Sequence, residues 1–449
     1  MKRIALTLLL WQSVFCMQGQ ETLTLEDCRE FAIQNNKELR ISETKIEIAN
    51  QEQKAAFTKY FPQVSAMGTY MWNQKDINLY DFSRLGVLEQ FVPQAAKDVL
   101  HLDIENVWIG NINLVQPIFM GGKIVNYNQI TKYVAELARS MNNLKLQEII
   151  YHTDEIYWQV VSLINKKKLA DNYVGLLSQM DKDVNLMIEE GVATKADGLS
   201  VKVKLNEAEM AQTKVNNGLA LTRMLLMQIC GLPLDKEFTL ADEQVDNFRV
   251  ETSTTTLADM NAAFQNRMEL KGLDLAKKIY KKKEAIVLSE ALPSVALMAN
   301  YMVMNPNSYN GFKNEFAGSF HVGVVLRIPL SGWWENSHKR NAARAETLIK
   351  TLEMEDAREK IELQVNQSVY KVNEANKKLT ASIRTMEQAE ENLRMANLGF
   401  DEGVISSLNL MQAQTAWVAA RSNLIDAQIE VKLSKVYLSK AMGKLSIEK

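Results

Sequence analysis

Apolar side chains recur along this chain in two periods, and the change from one to the other marks its elements. Ile130, Val134, Leu137, Met141 and Leu144 alternate steps of four and three, the seam of a coiled-coil helix. Ile156, Val160 and Leu163 continue it after a phase adjustment. Ile361, Val365, Val369, Val372 and Leu379 form a similar, less regular stripe further on. No proline, the strongest interior helix breaker, occurs from Ile118 to Leu232 or from Leu330 to the end. The spacing predicts helices from about Gly122 to Glu190 and from about Glu335 to Glu402, each on the order of 100 Å long at the α-helical rise. Such helices do not fit inside a compact globule and belong to an extended coiled-coil object. Each run ends in a short break, Glu190-Gly191-Val192-Ala193-Thr194 or Glu402-Gly403-Val404-Ile405-Ser406, and another periodic stretch follows. Gly191 and Gly403 suit the left-handed residue that closes a helix, so each break reads as the tip of a helical hairpin.

A period of two takes over in four segments. From Leu292 to Met304, Val295, Leu297, Ala299, Tyr301 and Val303 alternate with Ser294, Ala296, Met298, Asn300 and Met302. Phe316 to Leu330 holds a second β-rich run, and Phe61 to Trp72 and Val107 to Phe119 are their earlier counterparts. Their length suits tilted membrane-spanning strands. Four strands in two hairpins (61–119 and 292–330) cannot close a barrel around a lumen, so closure must come from other copies.

The two sets of elements are copies. Asn35, Glu38, Leu39, Pro62 and Tyr70 return 231 positions later as Asn266, Glu269, Leu270, Pro293 and Tyr301. Pro117, Glu190, Gly191, Val192 and Gly231 return 212 positions later as Pro329, Glu402, Gly403, Val404 and Gly443. The first copy therefore carries about 19 extra residues, placed in a polar-aromatic loop from about Asn73 to Asn106. The repeats are expected at 20–240, with a tip at 190–196, and at 241–449, with a tip at 402–408. Thr24 with Asp27, and Thr256 with Asp259, resemble capping boxes opening each copy. Gly231 to Thr256 reads as the linker.

The remaining composition narrows the function. Lys2-Arg3 followed by apolar residues from Ile4 to about Phe15 reads as a secretory signal spanning 1–19, with cleavage expected between Cys16 and Gln20. Phe15 is a poor fit to the small residue preferred before a lipidated cysteine. No other stretch approaches a membrane-spanning helix. With 52 basic and 54 acidic side chains, nothing points to nucleic acid. The mature chain would keep only Cys28 and Cys230, which do not make a disulfide framework; whether they pair is open. Four histidines lack metalloprotease spacing, and no cofactor or metal site is expected. The 21 methionines are read as packing residues rather than a copper-handling surface. A structural alternative, an exported coiled-coil spacer with a small strand cap, has the strand lengths against it.

Together these marks resemble the TolC-type outer-membrane factor family, the outer membrane efflux proteins. They are Thr24-Leu-Glu-Asp-Cys with Asn35 to Leu39, the strand exits Gln116-Pro-Ile-Phe-Met-Gly-Gly122 and Ile328-Pro-Leu-Ser-Gly-Trp333, the two Gly-Val tips, and Cys-Gly-Leu-Pro233. The resemblance implies a mainly α fold with a membrane β portion: long helical hairpins plus four strands per chain in a barrel shared by a homotrimer. It implies an exit duct in the outer membrane and its lipid, reaching into the periplasm. The duct would serve a tripartite efflux pump or type I secretion system, bind a periplasmic adaptor directly and meet an inner-membrane transporter indirectly. It places adaptor docking at Gly191, Val192, Ala193, Thr194, Gly403, Val404, Ile405 and Ser406. At the periplasmic gate it places Phe400, and acids six and nine positions after the second tip glycine, where this chain has Asn409 and Gln412. Asp197 holds the first-copy position, and Ile405 stands where a basic residue is expected. The polar latch is thus largely absent, and closure should rest on packing and amide hydrogen bonds, with weaker cation selection.

Overall fold

The computed structural model describes residues 21–243 and 259–445; the expected signal segment and Thr256 lie outside the described residues. The first repeat begins with strand β1 (Glu21–Leu23) and helices α1 (Leu25–Asn35) and α2 (Lys37–Phe57). Strand β2 (Gln63–Trp72) follows, then β3 (Ile77–Asn78), α3 (Gln94–Leu100), β4 (His101–Leu102) and β5 (Asn106–Met120). The long helix α4 (Lys123–Glu189), α5 (Lys195–Cys230) and strand β6 (Phe238–Leu240) complete the repeat. The second repeat runs α6 (Met260–Asn266), α7 (Met268–Ser289), β7 (Ser294–Asn305), β8 (Ala317–Arg327), α8 (Trp333–Asp401) and α9 (Ser407–Ala441).

Both predicted long helices form without interruption, as 67 and 69 residues, within two residues of the expected bounds. The expected loop in the first copy is instead structured: β3 pairs with β4, and a 3-10 segment, Phe82–Phe91, precedes α3. Pairing of β1 with β6 in parallel was not foreseen, because three-residue strands carry no readable period. The capping box at Thr24 is present, with Asp27 accepting from the Thr24 amide at 2.9 Å. Its expected twin is corrected: Asp259 is itself the N-cap, accepting from the Asn261 and Ala262 amides, so α6 starts later than α1.

Compactness divides the described residues differently from the repeat, into one unit of 21–46, 138–243, 259–272 and 354–445 and another of 47–137 and 273–353. The first unit is helical apart from the β1–β6 pair. Along α8 the seam residues follow strict steps of four and three. Val365, Val372, Leu379, Met386, Leu393 and Phe400 hold one heptad position; Ser368, Ala375, Ser382, Ala389 and Ala396 hold the other. On α9, Leu410, Trp417, Leu424, Val431 and Leu438 alternate in the same way with Ala413, Ala420, Ala427, Ser434 and Ala441. Ala375, Leu379, Met386 and Ala389 pack with Ala420, Leu424, Ala427 and Val431 in one core, where alternation of large and small layers lets facing helices interdigitate. The stripe looked irregular in sequence because half of it is serine and alanine; Val369 is only half-buried, beside the seam.

The matched residues of the repeat find their reason at the breaks between short helices. The Asn36 amide donates to the Ile229 carbonyl at 3.0 Å, and its oxygen accepts from the Glu38 amide at 2.9 Å to start α2. In the second repeat Arg267 stands at this place and reaches the Ala441 carbonyl at 3.1 Å and Gln364 at 2.9 Å. Gly231 and Gly443 lie against these breaks with φ of 68° and 65°. A Cβ on Gly231 would sit 2.7 Å from the Asn35 carbonyl oxygen, and one on Gly443 would sit 2.9 Å from the Asn266 carbonyl carbon, so both sites exclude larger residues. Leu39 and Leu270 are buried beside them.

The second unit holds the sheet, ordered β2-β5-β7-β8 and antiparallel throughout, with β2 and β8 as its two edges. Its helical part packs through small residues: Ala56, Thr131, Ala135 and Ala343 are buried. One predicted seam residue on α4, Met141, is instead exposed, and the neighbouring Ser140 is buried and bonds the Met268 carbonyl at 3.1 Å. A small hydroxyl admits the neighbouring backbone at this point, which a methionine would not.

Candidate functional site

The two tips are built alike. At Gly191 (φ 77°) the Val192 and Ala193 amides both donate to the Met187 carbonyl, at 2.8 and 3.0 Å. At Gly403 (φ 70°) the Val404 and Ile405 amides donate to the Gly399 carbonyl, at 2.8 and 3.1 Å. The left-handed glycine turns the chain so that the last orphan carbonyls of the long helix are satisfied. Val192 and Val404 then project outward, 72% and 79% exposed. Ala193 and Ile405 turn inward, packing with Ile188 and Phe400 against a core of Leu177, Met180, Val184, Val201, Leu410 and Met411. The eight tip residues therefore divide: the valines offer an exposed apolar contact, while Ala193 and Ile405 anchor the turns.

The residues expected at the gate separate in the same way. Phe400 lies in the tip core, continuing the large positions of the α8 seam. Asp197 is committed to its own helix: its carboxylate accepts from the Thr194 amide at 2.9 Å and hydroxyl at 2.7 Å, and Thr194 accepts from the Asp197 amide at 3.2 Å. The Thr194 hydrogen bonds hold this carboxyl below its ordinary value. At the second tip Ser406 accepts from the Asn409 amide at a long 3.4 Å. Asn409 and Gln412 are exposed on α9. Gln412 lines a cleft of about 590 Å³ with Val203 and Lys204 of α5 and Leu408, Met411 and Thr415 of α9. Sequence reading missed Leu199, Val203 and Met210 on α5, large apolar residues left exposed near the first tip. Their spacing of four and seven was the available signal.

The sheet has two unlike faces. Cross-strand pairing aligns Tyr70 with Trp108, Val64 with Leu114 and Ala299, and Ile112 with Tyr301 and Phe320. With Val322, Val324 and Leu326 this face is apolar, and much of it is exposed. The other face sets Ser65, Asn113, Asn300 and His321 in one row and Met67, Asn111, Met302 and Ser319 in the next. Asn300 donates to both Asn111 and Asn113 across it. The strand methionines Met67, Met71, Met298, Met302 and Met304 share this face, while Met180, Met227, Met386, Met411 and Met442 are buried in the helical cores, as their reading as packing residues expects. An apolar outside with a polar inside is the pattern of a membrane strand lining an aqueous lumen. Among the described residues no helix is long and apolar enough to cross a membrane, and no group of three or more His, Cys, Asp or Glu side chains is placed to hold a metal ion.

A family model described as outer membrane efflux protein matches residues 260–444. Over this stretch, the second repeat, the chain is similar to that family. The curated relatives include the outer membrane protein TolC of Vibrio cholerae, 21% identical over 338 residues, covering 75% of this chain and 76% of the relative. Among solved structures, the CmeC channel of Campylobacter jejuni superposes with a TM-score of 0.79 at 13% identity, covering 94% of this chain and 85% of the other. The open-state MtrE channel of Neisseria gonorrhoeae gives 0.71 at 14%, with 93% and 88% covered. At such identities these structures establish the fold. With the family match over residues 260–444 and the TolC relative, this makes the protein an exit duct of the outer membrane that extends into the periplasm, and not an enzyme.

Proposed function

We propose that three copies of this chain assemble into one duct, joining the β8 edge of one sheet to the β2 edge of the next in a barrel of about twelve strands. The observation that carries this is the sheet itself: four strands, two open edges, one apolar face. In lipid an unpaired edge leaves backbone groups without partners, at several kcal/mol per group, so a lone chain is excluded from the bilayer. The repeats 20–240 and 241–449 would each supply one strand hairpin and one helical hairpin per subunit.

The duct conducts passively for a tripartite efflux pump or a type I secretion system. A periplasmic adaptor docks at the tips, with Val192 and Val404 as its apolar contacts, Gly191, Thr194, Gly403 and Ser406 allowing close approach, and Ala193 and Ile405 holding the turns. The inner-membrane transporter acts through that adaptor. Phe400 closes the periplasmic gate by packing, while Asn409 and Gln412 supply amide contacts. Asp197 serves the gate by fixing the start of α5. Opening is an iris-like shift of helical hairpins, biased by the adaptor's preference for the open state.

Native mass spectrometry of the protein extracted from isolated outer membranes tests the assembly. A complex near three chain masses is expected. A monomer confined to the soluble periplasmic fraction would overturn the duct and favour a coiled-coil spacer.

A further inference from the structure

The hydrophobic core of the first repeat contains two cysteines brought together from opposite ends of that repeat. Cys28 lies on α1 and Cys230 is the last residue of α5, and both are fully buried. They share one core with Leu23, Tyr157, Trp158, Leu226 and Phe238. The Cys230 thiol donates to the Cys28 carbonyl at 3.5 Å, which brings the two residues into direct contact. Both are free thiols in this structure. In the second repeat the position 212 residues after Cys230 is Met442, buried in a core where Met260 of α6 also packs. The fold thus asks only for apolar filling there, and the first repeat alone fills the place with an oxidisable pair.

We propose that Cys28 and Cys230 form an intrachain disulfide as the protein folds in the periplasm, stapling α1 to the end of α5. The periplasm is an oxidising compartment, and thiols held in contact within it are the ones that pair. The co-reactant is a small-molecule or protein disulfide. One cysteine thiolate attacks it, forming a mixed disulfide and releasing one thiol. The second cysteine sulfur then attacks the first, releasing the second thiol. Two protein thiols and one external disulfide become one protein disulfide and two external thiols, with two electrons passed outward.

The step belongs to folding. In the native chain both sulfurs are closed off from any oxidant, and the hydrogen bond to Cys230 together with burial pushes the Cys28 thiol far above its ordinary value, which suppresses the reactive thiolate. Before α5 docks, neither restraint exists. The bond would close a loop of about 200 residues, the long-loop case in which a cross-link restricts the unfolded chain most. It would also lock the Asn35–Gly231 contact, since Asn35 ends the helix that carries Cys28 and Gly231 follows Cys230.

The test is a thiol trap. Cells are quenched in acid, and the duct is isolated from outer membranes, denatured with an alkylating reagent and no reductant, and digested with trypsin. The expected result is a linked pair of peptides, one ending at Arg29 and the other spanning Met224–Lys236, that separates on reduction. Separately alkylated Cys28 and Cys230 peptides would overturn the proposal, as would either cysteine joined to Cys16 or to a second chain. Cys28→Ala should expose one reactive thiol, at Cys230, where the wild type exposes none. If that variant does not assemble, the wild-type map decides alone.

Discussion

The two helical hairpins occupy matching places in the repeat, yet their seams are made of different chemistry. In the first, Lys167 bonds Asp171 at 2.7 Å and Gln212 of the facing helix bonds the same carboxylate at 2.8 Å. The residues 212 positions on are Leu379, Ile383 and Leu424. Asp181 on the first seam likewise becomes Leu393. One backbone plan thus tolerates a half-exposed polar cluster in one copy and a large-small apolar seam in the other. Heptad spacing fixes where a helix faces its partner, but the cohesion across that seam depends on what each position buries. Between the apolar cores that hold both ends of the first hairpin, this stretch carries half-exposed ion pairing, worth little on average, where the second hairpin gains from apolar burial.

The largest effect should come from moving the polar chemistry into the dry seam. Leu379→Lys places a charge where Leu379 is buried, with Ile383 in place of the aspartate, and should cost about 3–5 kcal/mol or prevent assembly. Lys167→Leu should change stability by less than about 1 kcal/mol, because its side chain is half-exposed. Adding Ile383→Asp to Leu379→Lys should recover part of the loss in a double-mutant cycle. Thermal melting of the isolated protein checks all three, and equal losses at 167 and 379 would erase the contrast.

A comparable loss is expected at the buried pair found only in the first repeat. Arg29 grips Asp154 through two bonds of 2.6 Å, and Asp154 is fully buried; the position 212 residues on is Asn366, exposed. Arg29→Ala should cost about 3 kcal/mol at neutral pH, since it strands a buried carboxylate. Burial already raises the Asp154 carboxyl above its ordinary value, with Arg29 opposing it. Without Arg29 it rises further. A carboxyl raised in the folded state binds its proton more tightly than in the unfolded chain, so stability falls as pH rises through the folded value. The variant's deficit should therefore shrink in acid, and a deficit independent of pH would sink the assignment. Asn366→Ala should be silent.

The smallest effect distinguishes the tips. Thr194→Ala removes a reciprocal cap and should speed amide exchange in the first turn of α5 several-fold, with little change in melting temperature. Ser406→Ala removes one long bond and should change exchange less. If the second tip loosens more, the caps do not set tip order.

Much of the architecture was legible because two repeating signals agreed. Proline-free heptads with glycine tips gave both long helices and both hairpins; alternation gave all four strands of the sheet. Asp197 shows where reading stopped. The family resemblance suggested a gate and its place after the tip suggested a helix-start residue; its capping bonds to Thr194, which depend on the turn geometry, place it at the start of α5. Phe400 and Ile405 were placed at the tip by sequence, but their inward orientation depends on packing around Leu410 and Met411. The β1–β6 pairing and the folded insert were invisible, since short strands and 3-10 turns lack a period long enough to register.

By itself the sequence determined the periods, the breaks, the duplication and the need for more than one chain to close the sheet, all of which follow from local sterics and the geometry of helix and strand. Only the tertiary structure decided which side chains share a core. The serine and alanine half of the α8 seam, the Asn36 and Arg267 contacts with distant carbonyls, and the meeting of Cys28 with Cys230 join residues roughly 20 to 200 apart in the chain. Their partners are set by which helix faces come to lie together, and that depends on packing the whole unit at once.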